Sequence, residues 1–173
     1  MKFITCTYEE HACAILEILN EAIINSTAIY DYDARTIESM VNWFQHKEIG
    51  NFPVVGVVNN ERKLIGFATY GTFRAWQAYK YSVEHSVYIH KDHRGKGHGL
   101  SLLKKLIAAA KQQEYHTMIG GIDITNISSV ILHEKLGFTH VGTVREAAFK
   151  FNRWLDLGMY QLLLKTPNNP VNS

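Results

Sequence analysis

The segment Arg94-Gly95-Lys96-Gly97-His98-Gly99-Leu100 carries the densest chemical signal in the chain. Three glycines alternate with a lysine and a histidine, after an apolar strand pattern from Val83 to Ile89 and before an amphipathic helix pattern. Glycines at a strand-to-helix turn let backbone N–H groups approach an anion, and a helix N-terminus adds partial positive charge. Arg94 and Lys96 add full charges. Glycines otherwise weaken the start of a helix for no structural gain, so the segment predicts a grip for a pyrophosphate. A Gly-rich turn without a ligand is the plainer alternative. Two nucleotide patterns are excluded. The string G-x-x-x-x-G-K-S/T does not occur, and glycines at 95, 97 and 99 do not make G-x-G-x-x-G.

Other residues with chemical capacity surround this loop. On a period-2 strand Glu84 shares a face with Ser86 and Tyr88, while Val83, His85 and Val87 face the other way. A carboxylate there can be a general base, a solvated edge or a salt-bridge partner. Arg74, between Phe73 and Ala75-Trp76, offers a guanidinium suited to bidentate pairing with a carboxylate or phosphinate. Phe73 and Trp76 either wall a small apolar stem or simply pack the loop. Asn126 precedes a short helix and fits an N-cap as well as a ligand contact. His133, on that helix, is either a proton donor as imidazolium or a surface residue. His85, His90, His93 and His98 cluster in sequence, but no second pair with carboxylate or cysteine support completes a tetrahedral set, so no metal is expected.

The elements that must position these residues follow from periodicity. Phe3 to Cys6 reads as a strand. Thr7-Tyr8-Glu9-Glu10 matches a capping box, with Ile15, Ile18, Leu19, Ala22 and Ile23 following at helical spacing. A second helix is predicted from Ile37 to about Lys47. Strands over 53–58 and 63–70 flank the turn Asn59-Asn60-Glu61-Arg62. An aromatic-rich loop leads to the strand ending at Ile89, then the glycine loop and its helix. A strand near 117–122, a helix from about Ser128 to Leu136 closed by Gly137, and strands near 138–145 and 155–164 complete the order. This predicts an α/β protein.

The 173 residues suit one domain, and the net charge of +2 argues for neither nucleic acid nor a membrane surface as partner. Apolar content of 46% and no run near the length of a membrane span fit an ordinary globular domain. Cys6 and Cys13, with no signal peptide ahead of them, read as reduced buried thiols of a cytoplasmic protein. Residues 1–165 are expected to form one domain and residues 166–173 a flexible tail.

The glycine loop also fits a third pattern, Arg/Gln-x-x-Gly-x-Gly/Ala. It resembles the coenzyme A loop of the GNAT N-acetyltransferases. Asp123-Ile124-Thr125-Asn126 and the later His133-Glu134-Lys135-Leu136-Gly137-Phe138 resemble a second GNAT pattern. Narrower strings resemble the phosphinothricin and methionine sulfoximine N-acetyltransferase branch. They are Asn25 to Ala28, Tyr70 to Arg74, Glu84-His85-Ser86-Val87-Tyr88, and Phe149 to Asp156.

The resemblance implies a GNAT fold: a mixed, mostly antiparallel central sheet flanked by helices, with a splayed strand pair holding coenzyme A. It implies acetyl transfer from acetyl-CoA to the α-amine of a small amino-acid analogue such as phosphinothricin, methionine sulfoximine or methionine sulfone. The alternatives are another amine acceptor (a polyamine, an aminoglycoside or a protein N-terminus) and a non-catalytic acyl-CoA sensor. Val87, Tyr88 and Ile89 would line the pantetheine arm, Arg94 to Leu100 would hold the pyrophosphate, and Asn126 would bond the arm. Glu84 would be the general base. His133 stands where many GNAT proteins have a Tyr, and would protonate the departing thiolate. Phe73, Arg74, Ala75, Trp76 and Glu84 would form the acceptor pocket. Ala75 departs from the proline common in the branch. A homodimer is also expected from the family and from the apolar strand Leu155 to Leu164, although that strand could equally be central to the sheet of a monomer.

Overall fold

In the computed structural model, residues 1–172 are described; Ser173, the last residue of the expected tail, lies outside them. The elements in chain order are β1 (Lys2–Thr5), α1 (Tyr8–Asn25), α2 (Ile37–Ile49), β2 (Val54–Val58), β3 (Leu64–Thr72), β4 (Ser82–Ile89), α3 (His98–Gln112), β5 (Thr117–Asp123), α4 (Ile127–Lys135), β6 (Thr139–Lys150) and β7 (Arg153–Leu163). Strand order is β1-β2-β3-β4-β5-β7-β6. The β4–β5 pair is parallel, whereas β1–β2, β2–β3, β5–β7 and β6–β7 are antiparallel. The mixed, mostly antiparallel sheet expected from the sequence is therefore present.

Two compact units divide the chain: Met1–Thr69 with Ser86–Leu103, and Tyr70–His85 with Lys104 onward. In the first, Thr7 caps α1 by accepting the Glu10 N–H. The stripe Ala12, Ile15, Ile18, Leu19, Ala22 and Ile23 is buried with Met40 of α2 and with Val54 and Phe67. This is the apolar spacing of 3 and 4 doing what it must in water. Cys6 is buried in this core, which pushes its thiol up to about 12. Cys13 is exposed, which corrects the expectation of two buried thiols. Its position on α1 lies off the buried stripe.

In the second unit β5 lies between β4 and β7. Met118, Ile122, Leu155, Tyr160 and Phe138 are buried, as are Leu106 and Ala110 of α3. β6 runs five residues past its expected end at Arg145, since it stays paired with β7 to Lys150↔Arg153. The hairpin turns on Phe151 and Asn152, both at positive φ. That geometry suits a tight hairpin, but the residue pair is not the Asn-Gly signal a sequence reader looks for. From the tail, Thr166 Oγ1 donates to the Tyr115 carbonyl, and Val171 N donates to Tyr81 Oη at 3.0 Å. Among the described residues no helix is long and apolar enough to cross a membrane.

Candidate active site

In the first unit, β4 leads through a single 3-10 turn, Lys91–His93, into the glycine loop. Gly95 and Gly97 adopt φ of +75° and +78°, and a Cβ on either would meet nothing within 4 Å. The glycines are needed for backbone handedness, and the space above them is open. α3 begins at His98, so the first N–H groups of a 15-residue helix end at this loop. The His98 ring is held below its ordinary proton affinity, first by burial and then by the charges of His93 and Lys96. An open, positively charged backbone cradle fits a pyrophosphate.

Arg94 is not idle there. Its Nη2 pairs with the Glu21 carboxylate of α1, and its Nε donates to the Ile89 carbonyl at 3.1 Å. Sequence reasoning gave Glu21 no role, because only the fold brings α1 beside the loop. Lys96 Nζ donates to the Asp92 carbonyl at 3.0 Å. Upstream, the β4–β5 register covers Ser82, Val83 and Glu84, and β4 runs on to Ile89 outside it. The Tyr88 ring packs on Phe67 at 5.5 Å between centroids, so the Tyr88 side chain belongs to the core of this unit.

In the second unit Glu84 is half-buried. Burial raises its proton affinity above that of an ordinary carboxylate, and the nearby Arg74 charge partly offsets this. The Arg74 guanidinium stacks over Phe73 at 4.4 Å. Phe73 meets Tyr79 edge-on at 5.7 Å. Trp76 keeps 72% of its surface exposed, and Ala75 is exposed beside it. Phe73 is thus held by loop packing, while the Trp76 indole, 6.5 Å from the Tyr79 ring, stays largely exposed.

His85 takes the opposite face, as the strand period requires. A Cβ on Gly120 would sit 2.9 Å from His85 Nε2 and 3.2 Å from His133 Nε2, whereas one on Gly121 would sit 3.3 Å from Glu84 Oε1. The structure therefore brings His133 to His85 and not to Glu84. His133 is buried, not on the surface. Its Nδ1 lies 2.7 Å from the Ser129 carbonyl, which can only accept, so Nδ1 carries a proton. Its Nε2 lies 3.1 Å from His85 Nε2. Burial lowers the proton affinity of both rings, that of His85 to about 3. Neutral His133 then leaves a bare Nε2, which accepts the His85 Nε2–H. To give a proton to a thiolate His133 must first gain a second one.

Asn126 caps α4. Its Oδ1 accepts from Ser129 N at 3.2 Å and from Ser128 Oγ at 2.9 Å. The cap uses the oxygen, leaving the amide nitrogen for a different task; the two readings of this residue are compatible. Among the described residues no group of three or more His, Cys, Asp or Glu side chains could hold a metal ion.

The acetyltransferase (GNAT) domain family matches residues 4–159. An L-amino acid N-acyltransferase, MnaT, of Escherichia coli K12 is 37% identical over 91% of this chain and 91% of that protein. An L-methionine sulfoximine/L-methionine sulfone acetyltransferase of Salmonella typhimurium is 38% identical over 87% of this chain and 88% of that protein. The solved structure of the acetyltransferase yncA from Salmonella typhimurium, with its cofactor acetyl-CoA, superimposes with a TM-score of 0.94 at 33% identity, covering 99% of this chain and 98% of that one. The cradle, the strand that feeds it and the match across nearly the whole chain agree: this protein belongs to the GNAT acetyltransferase family.

Proposed function

We propose that this chain transfers acetyl from acetyl-CoA to the α-amine of a small amino-acid analogue of the methionine sulfoximine, methionine sulfone or phosphinothricin type. One observation carries the reading: Glu84, a carboxylate with raised proton affinity, feels the charge of Arg74. A base for the amine thus has beside it a cation for the acceptor's acidic group. A polyamine would instead meet that cation, and fits less well.

Arg94 to Leu100 hold the pyrophosphate, and backbone groups of Val87 and Ile89 pair with the pantetheine arm as an added strand would. Glu84 takes a proton from the acceptor ammonium, directly or through water. The neutral amine attacks the thioester carbonyl, the C–N bond forms, and the C–S bond breaks. The thiolate then takes a proton, for which His133 is the proposed donor. Since the His133 ring rests neutral, that step draws its second proton from the reaction or from solvent. The protein is further read as a cytoplasmic homodimer that detoxifies such analogues. Exposed Val141, Val144, Phe149, Phe151 and Trp154 on β6, β7 and their hairpin support the self-association.

A thiol-release screen tests the reading, with methionine sulfoximine, methionine sulfone, phosphinothricin, ordinary amino acids, polyamines and short peptides as acceptors. The sulfoximine, sulfone or phosphinothricin should give the highest kcat/KM. Preference for a polyamine or a peptide would overturn the substrate class.

A further inference from the structure

β5 ends at Asp123, and three residues later Asn126 caps α4. The Asp123 carboxylate is only 1% exposed. A buried carboxylate is costly unless its oxygens are satisfied. Here Oδ1 accepts from Thr125 N at 3.0 Å and from Thr125 Oγ1 at 2.9 Å. Oδ2 accepts from Arg153 Nη2 at 3.0 Å, and the same guanidinium nitrogen donates to Thr125 Oγ1 at 3.0 Å. The backbone closes the corner: Asn126 N donates to the Asp123 carbonyl at 2.8 Å, and Ile124 N to the Asp156 carbonyl at 3.2 Å.

Arg153 is the first residue of β7, 30 positions from Asp123. The fold therefore spends a long-range ion pair on a four-residue corner. That corner ends at Asn126, whose Oδ1 is already committed to Ser128 and Ser129. With the oxygen fixed, the direction of the amide nitrogen is fixed by the corner beneath it.

We propose that Asp123 and Arg153 are positioning residues for acetyl-CoA. They lock the Asp123–Asn126 corner so that the Asn126 amide donates to a carbonyl of the pantetheine arm. The proposal rests on Asn126 touching that arm. Arg153 never contacts the cofactor; it acts through Asp123, Thr125 and Asn126.

The test is a double-mutant cycle on coenzyme A affinity, measured calorimetrically on the full chain. Asn126→Ser retains a cap-competent oxygen but removes the amide. It should raise Kd for coenzyme A by about three- to tenfold, the loss of one hydrogen bond. Arg153→Ala should raise Kd by a similar factor, and the double variant should add little, because both act on one contact. Arg153→Lys should recover part of the affinity, and KM for acetyl-CoA should rise with a smaller change in kcat. An Asp123→Asn variant, neutral at the same shape, should reproduce the Arg153→Ala effect if the ion pair is the device. If Asn126→Ser leaves Kd unchanged, the contact on which the proposal rests fails, and the proposal with it. If Asn126→Ser weakens binding but Arg153→Ala lowers only the melting temperature, or the two effects add, the positioning role is overturned while the Asn126 contact stands.

Discussion

His85 and His133 meet Nε2 to Nε2 at 3.1 Å in the second unit, with rings stacked 5.0 Å apart, while Glu84, one residue earlier, points to the other face of β4. One peptide bond thus separates the proposed base from a buried, neutral imidazole pair. Alternation along the strand gives the two neighbours different surroundings: Glu84 is half-buried beside a cation, and His85 is enclosed with its Nδ1 lacking a hydrogen-bond partner.

Glu84→Gln should lower kcat by about two to four powers of ten, the usual worth of general base catalysis. Affinity for coenzyme A should stay near that of the parent protein. Steady-state kinetics with calorimetry separates the two, and full turnover at saturating acceptor would remove Glu84 from the role.

Arg74→Ala should move the acidic limb of the kcat/KM profile to higher pH. Glu84 must be unprotonated to act, burial raises its proton affinity, and the Arg74 charge holds that rise in check. Removing the cation lets the affinity rise further, so the base is lost at a higher pH. KM for an acceptor bearing an acidic group should rise as well.

Acid should destabilise the fold through the histidine pair. His85 is held at about 3, below the ordinary imidazole value near 6.5, so the unfolded chain binds more protons between these limits. Stability is therefore fully present above about pH 6.5 and falls as pH drops toward 3. Thermal melts at several pH values check this, and His85→Gln should flatten the dependence while keeping an N–H for His133.

Gly120→Ala should disrupt the same pair. The new Cβ would sit 2.9 Å from His85 Nε2 and 3.2 Å from His133 Nε2, closer than the rings can tolerate. A loss of about 1–3 kcal/mol in denaturant unfolding is expected for such overpacking. An unchanged midpoint would mean that the pair can shift without cost.

Light scattering should report twice the 19.7 kDa chain mass. Replacing Phe151 and Trp154, both exposed on the β6–β7 hairpin, by Ser should then shift the protein toward monomer. A mass near 19.7 kDa for the parent chain would remove the dimer from the reading.

The sequence by itself determined what depends on neighbours along the chain. The cap at Thr7 follows from local hydrogen bonding, the α1 stripe from the helical period, and the opposite facing of Glu84 and His85 from the strand period. The cradle was legible because positive φ at Gly95 and Gly97 is a local demand written in glycine. Tertiary structure decided what depends on elements far apart in sequence. Nothing near His133 announces that its Nε2 will meet His85, 48 positions away, and leave the ring neutral. Glu21 shows no sign of its pairing with Arg94, 73 positions on. Arg153 stood in a string that resembled the family, yet its partner Asp123 emerged only when β5 and β7 were laid side by side. Register, burial and the electrostatics of a shared interior arise from the packed sheet, and no local pattern encodes them.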